Sequence, residues 1–254
     1  GRWRVLALAL VAAYFTATVL LPLIVLIWTS LLPVYQAPSI AALQKISLAN
    51  YQTVFEIPKV GLALKNTLFM VLLAPTLTMF MCAVLSWVIV KSRGRGRKVL
   101  DFLTFVPHAI PGIVTGVALM WVYIFLPVHI YGTIWILLIA YVTSRISFGT
   151  RVMNAAMTQL HKELEEASYA SGGSWFRTFR KITLPLLLPA LVNGWVFSAI
   201  VVAKAMGAVI MIYSHESIVL PVLIWELWNN GDVAATAALG VLLILGLISA
   251  TFVA

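Results

Sequence analysis

Residues 164–191 read LEEASYASGGSWFRTFRKITLPLLLPAL, and this stretch changes character three times. Together with the residues before it, it begins as a polar helix. Arg151–Ser171 holds good helix formers and no proline or glycine. Met153, Ala156, Leu160, Leu164 and Ala167 recur at steps of three and four, which gives a helix one apolar face. His161 with Glu165, and Lys162 with Glu166, are spaced to meet across one turn. Gly172-Gly173 then supplies a helix stop, because positive φ costs glycine little. Ser174 can cap a second short helix, on which Trp175, Phe176, Phe179 and Ile182 lie opposite Arg177, Arg180 and Lys181. From Ile182 the chain turns apolar, and Pro185 is harmless if it falls in the first turn of the helix that follows. The expected product is a helix–turn–helix with an apolar patch rimmed by charge, set between two hydrophobic runs. It is either a seat for another protein or an amphipathic hairpin lying on a membrane surface.

The rest of the chain says which solvent surrounds that hairpin. The 254 residues are 62% hydrophobic and 10% charged, with a mean hydropathy of +1.03. A soluble domain of this size has too much surface to cover with so few polar residues. Uncharged runs cover 5–44, 66–90, 102–144, 182–203 and 233–254, and about 20 apolar residues suffice for a helix to cross a bilayer. The runs do not alternate polar with apolar, which excludes a transmembrane β-barrel. The expected fold is all-α, with six membrane spans near 5–31, 64–90, 100–126, 130–148, 184–212 and 233–254 in one domain over 1–254. The 102–144 run is divided at Pro127-Val128-His129. The first apolar run exceeds the length of a cleavable signal. Pro22 falls within span 1, and Pro107 and Pro111 within span 3, where neighbouring groups can satisfy the freed carbonyls. Gly112 and Gly116, a small-xxx-small pair, fit ordinary helix packing inside one subunit. Cys82 reads as a small buried hydrophobe.

Basic residues set the orientation. Of 17 Lys and Arg, two precede span 1, five lie between spans 2 and 3, and six lie between spans 4 and 5. Only Lys45, Lys59 and Lys65 fall on the other side. Lys and Arg accumulate on the cytoplasmic side, so the hairpin and both termini are expected there. KSRGRGRK, residues 91–98, becomes a topology anchor and not a nucleic-acid patch, and the net charge of +9 calls for contact with anionic headgroups and no nucleic acid. On the opposite side, a short helix is expected near Leu48 to Phe55, and an interfacial or re-entrant helix over Ile218 to Trp225.

The motifs exclude several chemistries. His108, His129, His161 and His215 are scattered, and no HExxH motif or Gly-rich phosphate loop exists, so no metal site, ATP site or catalytic residue is expected. Asp101, Glu56 and the acidic residues between Glu216 and Asp232 sit at span ends or in loops, whereas an ion-coupled transporter, the reading from a different class, places them inside spans. Lys204 is the charged residue set away from the ends of an expected span. It either snorkels outward, or pairs with an acid such as Glu216, or lines the path of an anionic solute.

Glu166, Ala167, Ser168, Gly172, Ile182, Leu184 and Pro185 resemble the cytoplasmic Glu-Ala-Ala loop of ATP-binding-cassette importer permeases. That pattern has Glu-Ala-Ala, a glycine four residues on, nine residues, then Ile-x-Leu-Pro; here Ser168 replaces the second alanine. NYQTVF and ALKNTL, within residues 50–68, and VPHAIPGIVTGVALMWVY, residues 106–123, are similar to other parts of the same permeases. SIVLPVLIWELWNNGDVAATAAL, residues 217–239, is similar to the ferric-iron branch, within a ferric-iron, putrescine and phosphonate group. In that branch two six-span halves are often fused, and this chain resembles the C-terminal half, so it could be a piece of a longer polypeptide. Where the branch often has a basic–acidic pair in span 5, this chain has Lys204-Ala205. The resemblance implies a type I importer permease bundle in the bacterial inner membrane. Its partners are a cytoplasmic ATPase dimer held by a coupling loop at about 150–182, a second permease half, and a periplasmic or lipid-anchored solute-binding protein. No cofactor belongs to the chain itself, since the ATPase binds the ATP. Ferric iron is the substrate implied, with putrescine, spermidine or phosphonate as alternatives.

Overall fold

The computed structural model describes residues 2–92 and 94–253, without the side chains of Arg2, Lys162, Trp175, Phe252 and Val253. Arg93 among the anchoring bases, the Lys162–Glu166 spacing and the place of Trp175 on the aromatic face therefore lie outside the described residues. Every regular element among those described is helical. In chain order they are α1 (Arg2–Phe15), α2 (Leu21–Ser30), α3 (Ile40–Leu43), α4 (Ala49–Glu56), α5 (Pro58–Lys91), α6 (Arg97–Ala109), α7 (Gly112–Phe125), α8 (Ile134–Gln159), α9 (Lys162–Ala170), α10 (Trp175–Thr178), α11 (Leu184–Lys204), α12 (Leu220–Asn229) and α13 (Val233–Val253). Five stretches, built on α1 with α2, α5, α8, α11 and α13, are long and apolar enough to cross a bilayer, and the bent pair α6–α7 makes a sixth. The short helices expected in the loops are α4 and α12.

The chain groups into two units, one holding the residues up to Leu62 and those from Val222, the other Ala63–Pro221. In the first, α1 is apolar on all sides and its described side chains are exposed throughout, as suits a helix whose neighbours are lipid or another chain. The C-terminal carbonyls of α2, which no helical N–H can reach, find partners in NYQTVF. The Asn50 amide donates to the carbonyls of Ser30 and Leu32 at 2.9 and 2.8 Å, and the Tyr51 hydroxyl meets that of Ser30 at 2.7 Å. α13 packs along α2 and α4, and Lys59 pairs with Glu226 at 2.8 Å.

In the second unit, Met79 and Cys82 of α5, Met153 and Met157 of α8 and Leu187 of α11 form a buried cluster. Lipid is as apolar as these side chains, so close packing, and not transfer from water, holds such helices together. Glycine permits that closeness. A Cβ on Gly149 would lie 2.6 Å from the Cys82 Sγ, and one on Gly194 would lie 2.5 Å from the Met79 Cε. At the far end of α5, the Asn66 amide donates to the carbonyls of Glu216 and Ile218, both at 2.9 Å. The Leu220 N–H donates to the Thr67 hydroxyl at 2.8 Å, so the Asn-Thr of ALKNTL anchors the approach to α12.

Three expectations are corrected. Span 3 is not one helix over 100–126: α6 and α7 meet at 106°. Ile110 is extended (φ −95°, ψ 122°) because the residue before a proline is pushed out of the α region, and Pro111 follows it. The helix expected over Arg151–Ser171 is interrupted at Leu160 (ψ 109°) and His161 (ψ 132°). Leu160 is drawn into the Met79–Leu187 cluster, and tertiary packing overrides propensity there. Finally, Pro185 does not open a span. α10 and α11 run on as one helix through a wide turn at Phe179–Thr183, in which the Leu184 N–H reaches the Phe179 carbonyl five residues back. The same wide turn occurs at Thr16–Leu20, just before Pro22. Both places follow from proline, which lacks an N–H and clashes with the carbonyl four residues earlier, a conflict that a widened turn relieves.

Candidate functional site

The α9–α10 hairpin lies against the end of α5 that carries Lys91. Its turn is a Schellman motif. Gly172 has φ +78°, its N–H donates to the Tyr169 carbonyl at 3.0 Å, and the Gly173 N–H donates to the Ser168 carbonyl at 2.8 Å. These bonds satisfy carbonyls that the end of α9 would otherwise leave unpaired. Gly172 is needed for its φ, with open space around it, whereas a Cβ on Gly173 would sit 2.6 Å from the Ser168 hydroxyl. Ser174 caps the second helix through its hydroxyl and the Arg177 N–H at 3.4 Å. The Ser168 and Thr178 hydroxyls meet at 2.8 Å and tie the two arms together.

The residues singled out by the sequence are distributed along this hairpin and the helix beyond it. Glu166 and Ala167 are exposed on α9, and Ser168 is turned inward to Thr178. Ile182 is half-buried, and Leu184 and Pro185 are exposed. Leu164, Tyr169 and Phe176 show 45%, 45% and 63% of their surfaces, and the charges of Glu163, Glu166, Arg177, Arg180 and Lys181 are exposed around them. The expected aromatic face divides: Phe176 points outward, while Phe179 lines an apolar groove of about 640 Å³ with Trp87 and Trp195. The exposed patch has the composition of a recognition surface, with aromatic anchors and a charged rim.

Besides Lys59–Glu226, two ionic contacts escaped the sequence reading because their partners are far apart in the chain. Lys91, on the last turn of α5, meets Glu165 at 3.0 Å, so Glu165 does not meet His161, which the break removes from the helix. Arg151 meets Asp101 at 3.2 Å and stacks over the Phe105 ring, fastening α6 to α8.

Lys204 is exposed and ends α11. A cation is favoured at a helix C-terminus, and no ion pair to Lys204, from Glu216 or any other acid, occurs among the described residues. Ala205 is extended, and its carbonyl accepts from the Tyr141 hydroxyl at 3.3 Å. The non-helical segment after Lys204 lies against the break in span 3. A Cβ on Gly112 would fall 3.5 Å from the Gly207 Cα, and one on Gly116 would collide with the Ala208 carbonyl, which is the intrasubunit packing expected of this pair. Backbone without a helical ladder occurs at membrane depth only where protein buries it or where it lines a cavity. Among the described residues no group of three or more His, Cys, Asp or Glu converges on a metal position.

Residues 80–254 match the family model described as the inner membrane component of binding-protein-dependent transport systems. The chain is 34% identical over 155 residues to the putative ferric transport system permease protein FbpB 1 of Haemophilus influenzae, a match covering 61% of this chain and 24% of the relative. It is 30% identical over 149 residues to the putative 2-aminoethylphosphonate transport system permease protein PhnV of Salmonella paratyphi A, covering 58% of this chain and 56% of that one. The match thus spans about a quarter of the length of the first relative and just over half of the second. In fold the chain resembles a chain of a bacterial alginate ABC transporter, solved in complex with an alginate pentasaccharide-bound periplasmic protein. The TM-score is 0.77 at 20% identity, over 98% of this chain and 92% of that one.

Proposed function

The chain belongs to the family of inner membrane components of binding-protein-dependent transport systems, and from that premise we propose that it is one membrane-spanning half of an ATP-driven importer. The observation that carries the proposal is the exposed α9–α10 hairpin. Its apolar patch has nothing of its own chain over it, its turn is fixed by Gly172, and one of its arms continues without interruption into α11. A cytoplasmic ATP-binding-cassette ATPase dimer covers the patch, with Glu166, Ala167 and Ser168 on one arm and Ile182, Leu184 and Pro185 at the root of the other. ATP binding and hydrolysis belong to that partner. A second permease half, homologous or fused, completes the path, and a periplasmic or lipid-anchored binding protein delivers the solute. Closure of the ATPases moves the hairpin as a rigid body with its span, a repertoire of small packed-helix shifts sufficient to switch a path between two faces.

The whole chain acts as one permease domain in this reading. The path runs beside the meeting of the two broken spans, with Lys204 next to it as a site for an anionic solute or solute complex. Ferric iron, carried as such a complex, is the proposed cargo, supported by the ferric relative; a phosphonate is the second candidate, supported by the relative that shares the larger fraction of its own length. In this reading the hairpin and both termini lie in the cytoplasm, which the basic asymmetry supports.

Co-purification tests the central claim. The chain should retain its ATPase in detergent, and vanadate should abolish uptake in vesicles; an ATPase that never associates rules the proposal out. Orientation is tested by impermeant thiol labelling of intact spheroplasts, in a Cys82→Ala background. Asn229→Cys should label and Arg95→Cys should not. Uptake of radiolabelled ferric iron and of 2-aminoethylphosphonate by a deletion strain decides between the cargoes.

A further inference from the structure

The hairpin is bonded in sequence to α8 on one side and α11 on the other, and is joined to α5 by an ion pair. α10 passes into α11 through the wide turn, so any movement of the hairpin is felt directly by that span. On the other side the covalent route is weak. Leu160 and His161 are extended, and no helical ladder connects α9 to α8. What joins α9 to a further span is the ion pair between Glu165 and Lys91, at 3.0 Å. This is the one ion pair among the described residues that links the hairpin to another helix. Lys91 sits on the final turn of α5, where the helix dipole favours a cation. Its side chain is only 9% exposed, and that of Glu165 is 22% exposed. A charge so poorly hydrated is costly to separate from its partner, because the remaining ion is left desolvated. The pair is therefore more durable under load than a solvent-exposed one. Glu165 is also the immediate neighbour of Glu166, so one turn of α9 faces outward to a partner and inward to α5.

We propose that the Lys91–Glu165 pair is a strut that carries hairpin movement into α5, making α5 and α11 shift together although only α11 is continuous with the hairpin. Both residues are positioning residues, and the inference rests on the importer reading. In consequence, removing either charge should leave the ATPase attached and α11 responsive, while α5 becomes insensitive to nucleotide.

The test uses the reconstituted transporter with its ATPase, in a Cys82→Ala background, with ATP and vanadate as the probe. A spin label is placed either at Val84→Cys on α5 or at Leu188→Cys on α11, positions 50% and 54% exposed. In the otherwise unchanged transporter, vanadate trapping should alter the spectrum at both positions. In Lys91→Met and in Glu165→Gln, the change at Val84 should fall about fivefold or more, the lower end of ordinary coupling factors, while the change at Leu188 persists. Lys91→Arg keeps the cation and should keep both responses. An undiminished Val84 response in both neutral variants overturns the strut. So does loss of the ATPase from Glu165→Gln, which would make Glu165 a docking residue. An unsubstituted chain that recruits no ATPase overturns the importer reading, and the strut with it.

Discussion

Around Gly149 the chain is crowded, and around Gly172 it is empty. At the first, a methyl group would strike the Cys82 sulfur; at the second, nothing lies within 4 Å, but φ is +78°. One glycine exists for space and the other for the sign of a backbone angle. The contrast extends to their surroundings. The α5–α8–α11 crossing is sealed by thioethers, a thiol and leucine, chemistry that only packs. The hairpin keeps its shape through backbone bonds and three hydroxyls, those of Ser168, Ser174 and Thr178, and leaves its large side chains outside. A region packed helix against helix is specified by volume. A region that leaves its large side chains exposed is specified by local hydrogen bonding.

Substitutions should separate the two regions cleanly. The largest effect is expected at the crossing. Gly149→Val forces two methyls towards Cys82, and overpacking of this kind costs about 1–3 kcal/mol. The melting temperature in detergent should fall by roughly 3–10 °C on the soluble-protein scale for this length. Gly149→Ala should be relieved when Cys82→Ala removes the sulfur, giving a double-mutant cycle with clear coupling; additive behaviour would mean that the crossing is looser than described. Next comes Gly172→Val. A β-branched residue at this φ costs about 1–3 kcal/mol locally. Membrane levels should hold while ATPase association weakens roughly tenfold, as a loss near 1.4 kcal/mol requires. Gly172→Asn, which tolerates positive φ, should behave like the parent, and equal damage from Asn and Val would show that φ is not the issue.

Glu166→Ala should be subtler. The residue is exposed, and no bond to its side chain occurs within the described residues, so stability should stay within about 0.5 kcal/mol. Any loss should appear in ATPase retention alone, and a destabilised protein with normal retention would reverse the assignment. The smallest structural effect is expected from Lys204→Met, which keeps the bulk of the stem. Binding-protein-stimulated ATPase activity should persist while uptake falls; unchanged uptake removes Lys204 from the path.

How much of this could be read from the residues depended on the range of the physics. Span number followed from apolar length, and the hairpin turn followed from Gly172-Gly173 and Ser174, because both signals are local. The kink at Ile110–Pro111 has a local signal too, the proline itself, but a proline inside a span is equally compatible with neighbouring groups that satisfy the freed carbonyls. Leu160 carried none: nothing in its neighbours shows that packing against the buried α5–α8–α11 cluster will stop the helix. Lys91 and Glu165 look like separate surface charges until the fold brings them together, and Gly149 and Gly194 look like any glycine in an apolar run. The Glu166-to-Pro185 pattern worked in the opposite direction. It pointed to a family before any geometry was known, yet it did not reveal that its proline lies inside a continuous helix.

That wide turn before Pro185 has a consequence for how the chain can change length. A turn closed five residues back holds one residue more than an α-helical turn, and each residue of an α-helix advances the rotation by about 100°. Deleting a single residue between Phe179 and Thr183 would let the segment regularise as an α-helix. The Leu184 N–H would still reach the Phe179 carbonyl, now four residues back, so the hairpin would keep nearly its bearing relative to α11. A deletion in the regular helix of α11 would instead turn the hairpin by about 100° and carry Glu166 from its present bearing and Glu165 from Lys91. The wide turn is thus a place where the chain can shed one residue with the phase of the hairpin kept, and a deletion there should be better tolerated than one farther along α11.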